Sequence, residues 1–192
     1  MDIAVKSDEA RKEENLFPYK NFFPNIDNSV FIAPGVKVIG DVTIKENSSI
    51  WYNTVIRGDI HYIKIGSNTN IQDGCMLHVT ADKFPISIGD NVTVGHNVTL
   101  HGCTIKNNAL IGMGAILLDG SLVNENSIVA AGSVVKEGFI VPKGKLVAGI
   151  PAGTVRDVKP EEIEAIKNSA AHYVENAYLS KKSLNDSNFK ND

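Results

Sequence analysis

An aliphatic residue returns every six positions through most of this chain, and that spacing leaves few folds open. Ile32, Val38, Ile44, Ile50 and Ile56 set the phase; Ile65, Ile71 and Leu77 resume it, then Ile88, Val94 and Leu100. After one five-residue step the series runs from Ile105 through Ile111, Leu117, Val123, Val129, Val135, Val141 and Val147. Four positions after many of these stands a second small or β-branched residue: Val42, Ser48, Thr54, Thr69, Cys75, Val92, Val98, Ala109, Ala115, Ser121, Ser127 and Ser133. A period of six matches neither a helix of about 3.6 residues per turn nor a simple alternating strand. It matches a short strand, a corner and another short strand, wound as a solenoid that buries its aliphatic residues along one axis. The rival is an all-β sandwich with evenly spaced turns, which has no cause to keep a single phase for so long.

The phase breaks twice. Nine positions separate Ile56 from Ile65, and eleven separate Leu77 from Ile88. The extra residues fall within 57–64 and 79–87, and loops added to a rigid scaffold are where function concentrates. With 22 acidic against 19 basic residues and a formal charge of −3, the chain does not read as a nucleic-acid surface. No stretch is long and apolar enough to span a bilayer, and the polar start lacks a signal-peptide core. Two cysteines, Cys75 and Cys103, read as small packed residues in a reducing, cytoplasmic setting.

The domain plan has four parts. Residues 1–16 are charged, non-repetitive and expected to be loosely held; residues 17–152 form the solenoid. Residues 153–182 comprise an exit segment and a helix, opened by Pro160 with Glu161 and Glu162 in its first turn. Its apolar stripe of Ile163, Ile166, Ala170, Tyr173, Val174 and Ala177 should pack on a solenoid wall. Tyr178 also reads as a packing residue. Residues 183–192 read as a polar, frayed tail.

Three of the five histidines, His78, His96 and His101, lie inside the repeat. Three imidazoles with an open fourth position are the ligand set of a hydrolytic zinc site. Around them stand Arg57-Gly-Asp59, Asn70-Ile-Gln-Asp73, Gly95-His-Asn97, Leu100-His-Gly102, the exit Gly149-Ile-Pro-Ala and Tyr173 on the helix. In these residues the chain resembles the γ-class carbonic anhydrases, a branch of the hexapeptide-repeat left-handed β-helix proteins. The likeness covers roughly residues 18–180. It implies an all-β fold: a left-handed parallel β-helix of triangular section, three hexapeptides per coil, with a C-terminal α-helix. It also implies a homotrimer with a metal at each subunit interface, Zn²⁺ or alternatively Fe²⁺ or Co²⁺, and reversible hydration of carbon dioxide to bicarbonate.

With three hexapeptides per coil taken from that resemblance, the register places the ligands. Arg57, His78 and His101 each follow an aliphatic residue by one position, one coil apart, and form an outward column. Adjacent coils lie about 4.7–4.9 Å apart, which lets two stacked imidazoles share an ion. His96 falls on another face, two positions after Val94, stacked on Asp73. The register therefore expects a shared site: His78 and His101 from one chain, His96 from its neighbour. The resemblance implies that Gln72 orients the attacking hydroxide, tuned by Asn70, and that Tyr173 lies over the site. Asp73, below His96, is expected to orient the ligands or a neighbouring arginine, and Arg57 with Asp59 to form a pocket-shaping salt bridge, across subunits or within one. Met113 and Leu118, one coil beyond His96 and His101, are candidates to line a dry pocket.

The chain departs from the family at the proton-exporting acidic loop. The archaeal prototype carries glutamates there; this chain has Ile60 after Asp59, and its 79–87 segment holds Asp82 and no glutamate. His61 is the candidate substitute for proton transfer. Two other functions fit the same scaffold. One is an acetyltransferase of the hexapeptide class, with a single histidine as general base and acyl-coenzyme A between subunits. The other is a catalytically silent, metal-stabilised trimer.

Overall fold

The computed structural model describes residues 14–186. The chain winds as a parallel β-helix with three faces and one C-terminal helix. The first face carries Met76–His78, Thr99–His101, Ile116–Leu117 and Val134–Val135. The second carries Ile86–Ile88, Thr104–Ile105, Leu122–Val123 and Ile140–Val141. The third carries Phe31–Ile32, Ser49–Ile50, Asn70–Ile71, Thr93–Val94, Leu110–Ile111, Ile128–Val129 and Lys145–Gly149. Two long strands, Lys37–Ile44 and Val55–Ile65, run round a corner and join the first two faces into one sheet.

The repeat dictates this arrangement rung by rung. Ile50 pairs with Ile71, Ile71 with Val94, Val94 with Ile111, Ile111 with Val129 and Val129 with Val147, all in parallel register. A sandwich would need antiparallel neighbours, and the only antiparallel strand pair among the named strands is the terminal hairpin of Lys145–Gly149 with Ala152–Asp157. Every axial aliphatic residue is buried, and so is each of the small residues four positions later. Buried corner hydroxyls bond along the solenoid, as where Ser48 Oγ donates to the Gly66 carbonyl at 2.6 Å and Thr54 Oγ1 to that of Gln72 at 2.8 Å; Ser121 Oγ, also buried, has no partner among the described residues. The corner between second and third faces takes left-handed asparagines, Asn47, Asn68, Asn91, Asn108 and Asn126, a conformation that asparagine tolerates better than most residues.

The first strand, Leu16–Phe17, pairs with Lys37–Ile44, so the solenoid begins one residue before the expected boundary, and Asn15 is already buried. The expectations for residues 1–13 and 187–192 lie outside the described residues. Helix α1 (Pro160–Asn185) packs on the third face. Glu162 closes its N-terminus by accepting the Lys159 backbone N–H at 2.8 Å, and Arg156 grips the same carboxylate with two bonds of 2.7 and 2.8 Å. Its inward stripe buries Ile166, Ala170 and Ala177, as the spacing predicts.

Two expectations for this helix are corrected. It continues through Asn185 instead of fraying from 183, because Leu184 packs against the core and Ser183 Oγ caps the Leu179 carbonyl at 2.9 Å. Tyr178 does not pack: one position past inward Ala177 it faces out and is 67% exposed. Among the described residues no helix is long and apolar enough to cross a membrane.

Ile166 anchors α1 in a small satellite cluster with Ile128 and Val158. Ile166→Ala is expected to weaken helix docking by about 2–4 kcal/mol. Amide exchange across 160–170 should quicken while the solenoid core stays protected; equal acceleration in both would refute a local anchor.

Candidate metal centre

One edge of the first face carries a column of three side chains. Arg57 pairs with His78 and His78 with His101 in the strand register. Each follows a buried residue, Ile56, Leu77 or Leu100, so strand alternation turns it outward. His78 Nδ1 and His101 Nε2 come within 3.2 Å of each other. Behind them stand carboxylates. Asp59 Oδ1 lies 3.1 Å from His78 Nε2, and the other oxygen of Asp59 pairs with Arg57 of the same chain. Asp119 Oδ1 lies 2.6 Å from His101 Nδ1, and Asp119 Oδ2 accepts from Thr80 Oγ1 at 2.7 Å.

Burial pushes the Asp59 carboxyl up, but hydrogen bonds from Arg57 and His78, with the Arg57 charge, hold it below its ordinary range. Burial likewise raises Asp119, and the bonds from Thr80 and His101 outweigh it. Both are therefore carboxylates near neutral pH, able only to accept. Burial, with the charges of Arg57 and His101, disfavours the His78 cation by more than Asp59 favours it, so this imidazole sits below its ordinary value, which favours the neutral form that binds metals.

These contacts test whether the pair suits an ion. With both rings neutral, the carboxylates on His78 Nε2 and His101 Nδ1 favour the N–H on those nitrogens, which leaves the lone pairs on the nitrogens that face each other. Two lone pairs at 3.2 Å repel unless a cation lies between them. Two bonds of about 2.0–2.1 Å to one tetrahedral ion put nitrogens roughly 3.3–3.4 Å apart. The donor set and its spacing fit a divalent metal.

The remaining candidates gather at the opposite edge of the first face, on the corner shared with the third. His96 Nδ1 lies 2.8 Å from Asp73 Oδ2. Beside them are Trp51, Tyr52, Asn176 and Tyr173, whose ring meets Trp51 edge-on at 5.5 Å. Burial, with the Asp73 charge, pushes the Tyr173 phenol up. Gln72 and Asn70 are buried; Gln72 Nε2 donates to Asn70 Oδ1 at 3.1 Å and Asn70 Nδ2 to Thr93 Oγ1 at 2.9 Å. Met113, 58% exposed, shares a groove with Gln72, His96 and Tyr173.

The chain thus assembles two candidate half-sites. Arg57, Asp59, His78 and His101 meet at one edge; Asn70, Gln72, Asp73, His96 and Tyr173 meet at the other. Among the described residues no three His, Cys, Asp or Glu side chains come together around one point. His61 joins neither group. Its Nδ1 accepts the Tyr62 backbone N–H at 2.9 Å, and it lines a cleft with Asp41, Asp59, Ile60 and Asp82. Cys75 and Cys103 are buried and their thiols pushed up to about 12, so they pack and do not react.

Asp119 and Thr80 were not foreseen. Strict stacking sets Leu118 over His101 and Asp119 over Gly102. Gly102 has φ of +52°, and a Cβ there would sit 2.4 Å from Asp119 Oδ1. The missing side chain lets Asp119 reach diagonally to the imidazole one position back.

The bacterial transferase hexapeptide (six repeats) family matches residues 23–58 and 102–137. A "Probable carbonic anhydrase" of Methanocaldococcus jannaschii is 52% identical over 149 residues, 78% of this chain and 93% of that one. The Gamma carbonic anhydrase 2, mitochondrial, of Arabidopsis thaliana is 46% identical over 161 residues, 81% of this chain and 58% of that one. The chain belongs to the γ-class carbonic anhydrase family. The fold is equally clear in a solved hexapeptide transferase family protein from Anaplasma phagocytophilum. It is 43% identical, with a TM-score of 0.84 over 87% of this chain and 98% of that one. One architecture thus carries both carbonic anhydrase and transferase names.

Proposed function

We propose that this γ-class protein hydrates carbon dioxide reversibly, CO₂ + H₂O giving HCO₃⁻ and H⁺, at a divalent metal shared between subunits of a homotrimer. His78 and His101 of one subunit and His96 of the next hold the ion: Zn²⁺, or alternatively Fe²⁺ or Co²⁺. The observation that carries this reading is the pair of carboxylate-backed imidazoles with facing ring nitrogens 3.2 Å apart. An ion held by three neutral imidazoles lowers the pKa of coordinated water to about 7, which supplies a nucleophile near neutral pH.

The chain's own groups orient and exclude. Asp59, tied to Arg57, holds His78; Asp73 holds His96. Gln72 commits its amide nitrogen to Asn70, which leaves its carbonyl to accept a hydrogen bond from the attacking water. Tyr173 stands beside His96 and Asp73, and Met113 lines the groove next to them. The proton leaves through the cleft at Asp59, with His61 as its carrier to solvent.

A second reading, acyl transfer from acetyl-coenzyme A, draws on the transferase name of the similar Anaplasma structure. Acyl transfer requires one histidine base and no carboxylate-locked pair. Metal analysis of the purified oligomer, with a carbon dioxide hydration assay, separates the two. Near-stoichiometric metal with hydration activity is the expected result. Acetyl transfer by metal-free protein would refute it, and metal without either activity would reduce the site to a structural one.

A further inference from the structure

Residues 79–85 interrupt the repeat, and Thr80 stands near the start of the interruption. Its hydroxyl reaches Asp119, 39 positions on, at 2.7 Å. The segment closes on itself: the Thr80 N–H donates to the Phe84 carbonyl at 3.1 Å and the Phe84 N–H to the Thr80 carbonyl at 3.3 Å. Phe84 then lies across two glycines. A Cβ on Gly102 would fall 2.6 Å from Phe84 Cβ, and one on Gly120 would fall 2.9 Å from Phe84 Cε1. The segment therefore leaves the coil of His78 and lays Phe84 across the coil of His101 with its ring against the coil of Asp119, before Ile86 rejoins the second face beside Ile63. Its course depends on Gly102 and Gly120 having no side chain.

What this span achieves is visible at His101. A neutral imidazole has two tautomers, with the proton on either nitrogen. Only the Nδ1–H form leaves the Nε2 lone pair facing His78 Nδ1 at 3.2 Å. Asp119 Oδ1, 2.6 Å from His101 Nδ1, stabilises that form alone. Thr80, by donating to Oδ2, holds the carboxylate in the orientation that presents Oδ1 to the ring. His78 needs no such device from the segment, because Arg57, one coil below, pairs with Asp59 and leaves its Oδ1 to the ring.

We propose that Thr80 and Asp119 are positioning residues that lock His101 as its Nδ1–H tautomer, so that the inserted segment sets the metal affinity of the half-site. Neither touches the reacting atoms. The proposal rests on the metal-centre reading above, yet its first readout needs no metal.

The test compares wild type, Thr80→Val, Thr80→Ser and Asp119→Asn, each intact and stripped with chelator. Nitrogen-15 spectra of the His101 ring report the tautomer at neutral pH, and Zn²⁺ titration reports affinity. Wild type and Thr80→Ser should hold the Nδ1–H form, whereas Asp119→Asn and Thr80→Val should show a mixture. The Zn²⁺ dissociation constant should rise about 10–100-fold in Asp119→Asn, less in Thr80→Val, and little in Thr80→Ser. An unchanged tautomer in both Asp119→Asn and Thr80→Val overturns the proposal even if affinity falls, since Asp119 would then act by charge alone. Affinities within twofold of wild type in both variants overturn it as well. If wild type itself takes up no Zn²⁺, the proposed function fails, and the tautomer comparison still decides the positioning role.

Discussion

In His101→Ala protein, metal retention and hydration activity are expected to collapse together. Losing a partner of a ligand typically costs 10–100-fold in affinity, and losing the ligand itself should cost about 100-fold or more. The fold should survive, because His101 points outward from a rung whose buried member is Leu100. His96→Ala should fail in the same way from the opposite edge of the first face. Mixing the two defective chains gives the sharper result. In a closed ring, a site is intact when its histidine pair comes from a His96→Ala chain and its third ligand from a His101→Ala chain. Random equal mixing restores roughly a quarter of the sites. Metal content and activity should return to about that fraction, and no recovery after demonstrated subunit exchange would mean that the ligands are not divided between chains.

Ile111→Ala is expected to cost about 2–5 kcal/mol of stability, far more than any exposed change on the same coil. Ile111 is wholly buried and lies in register between Val94 below and Val129 above. A solenoid cannot close the resulting void by sliding one coil, because hydrogen bonds fix the spacing on all three faces. The cost therefore approaches the full loss of the side chain plus its cavity. A fall in denaturant midpoint at unchanged slope would show it. A loss below about 1 kcal/mol would mean that neighbouring coils relax more freely than their bonding implies.

The repeat was readable because a bonded rung leaves one degree of freedom, the phase. Once Ile56, Leu77 and Leu100 were aligned, the outward column of Arg57, His78 and His101 followed, and so did Asp73 beneath His96. Asp119 was not readable, because its contact is diagonal. It depends on a missing side chain at Gly102 and on where residues 79–85 lie, and neither is a matter of phase. Arg57 and Asp59 were legible as a pair, but only the fold shows the bond within one chain that lets Asp59 also hold His78. The helix end was misjudged for a plain reason: the polar run after residue 182 hides Leu184, whose packing carries α1 to Asn185.

Every rung pairs with one made shortly before it, His101 with His78 and Ile111 with Val94. During synthesis a coil never waits for a distant partner, so the order of emergence can also be the order of assembly. The His78–His101 half-site closes first, and Asp119 arrives within the next coil to fasten it. The His96 corner is covered only when Tyr173 arrives on the last helix. On the proposed function, a nascent chain would carry its pair of imidazoles well before Tyr173 completes the His96 corner that a neighbour would meet. On that same function, metal capture by a chain that has not met a neighbour would be limited to two ligands, and full occupancy would mark chains that have met.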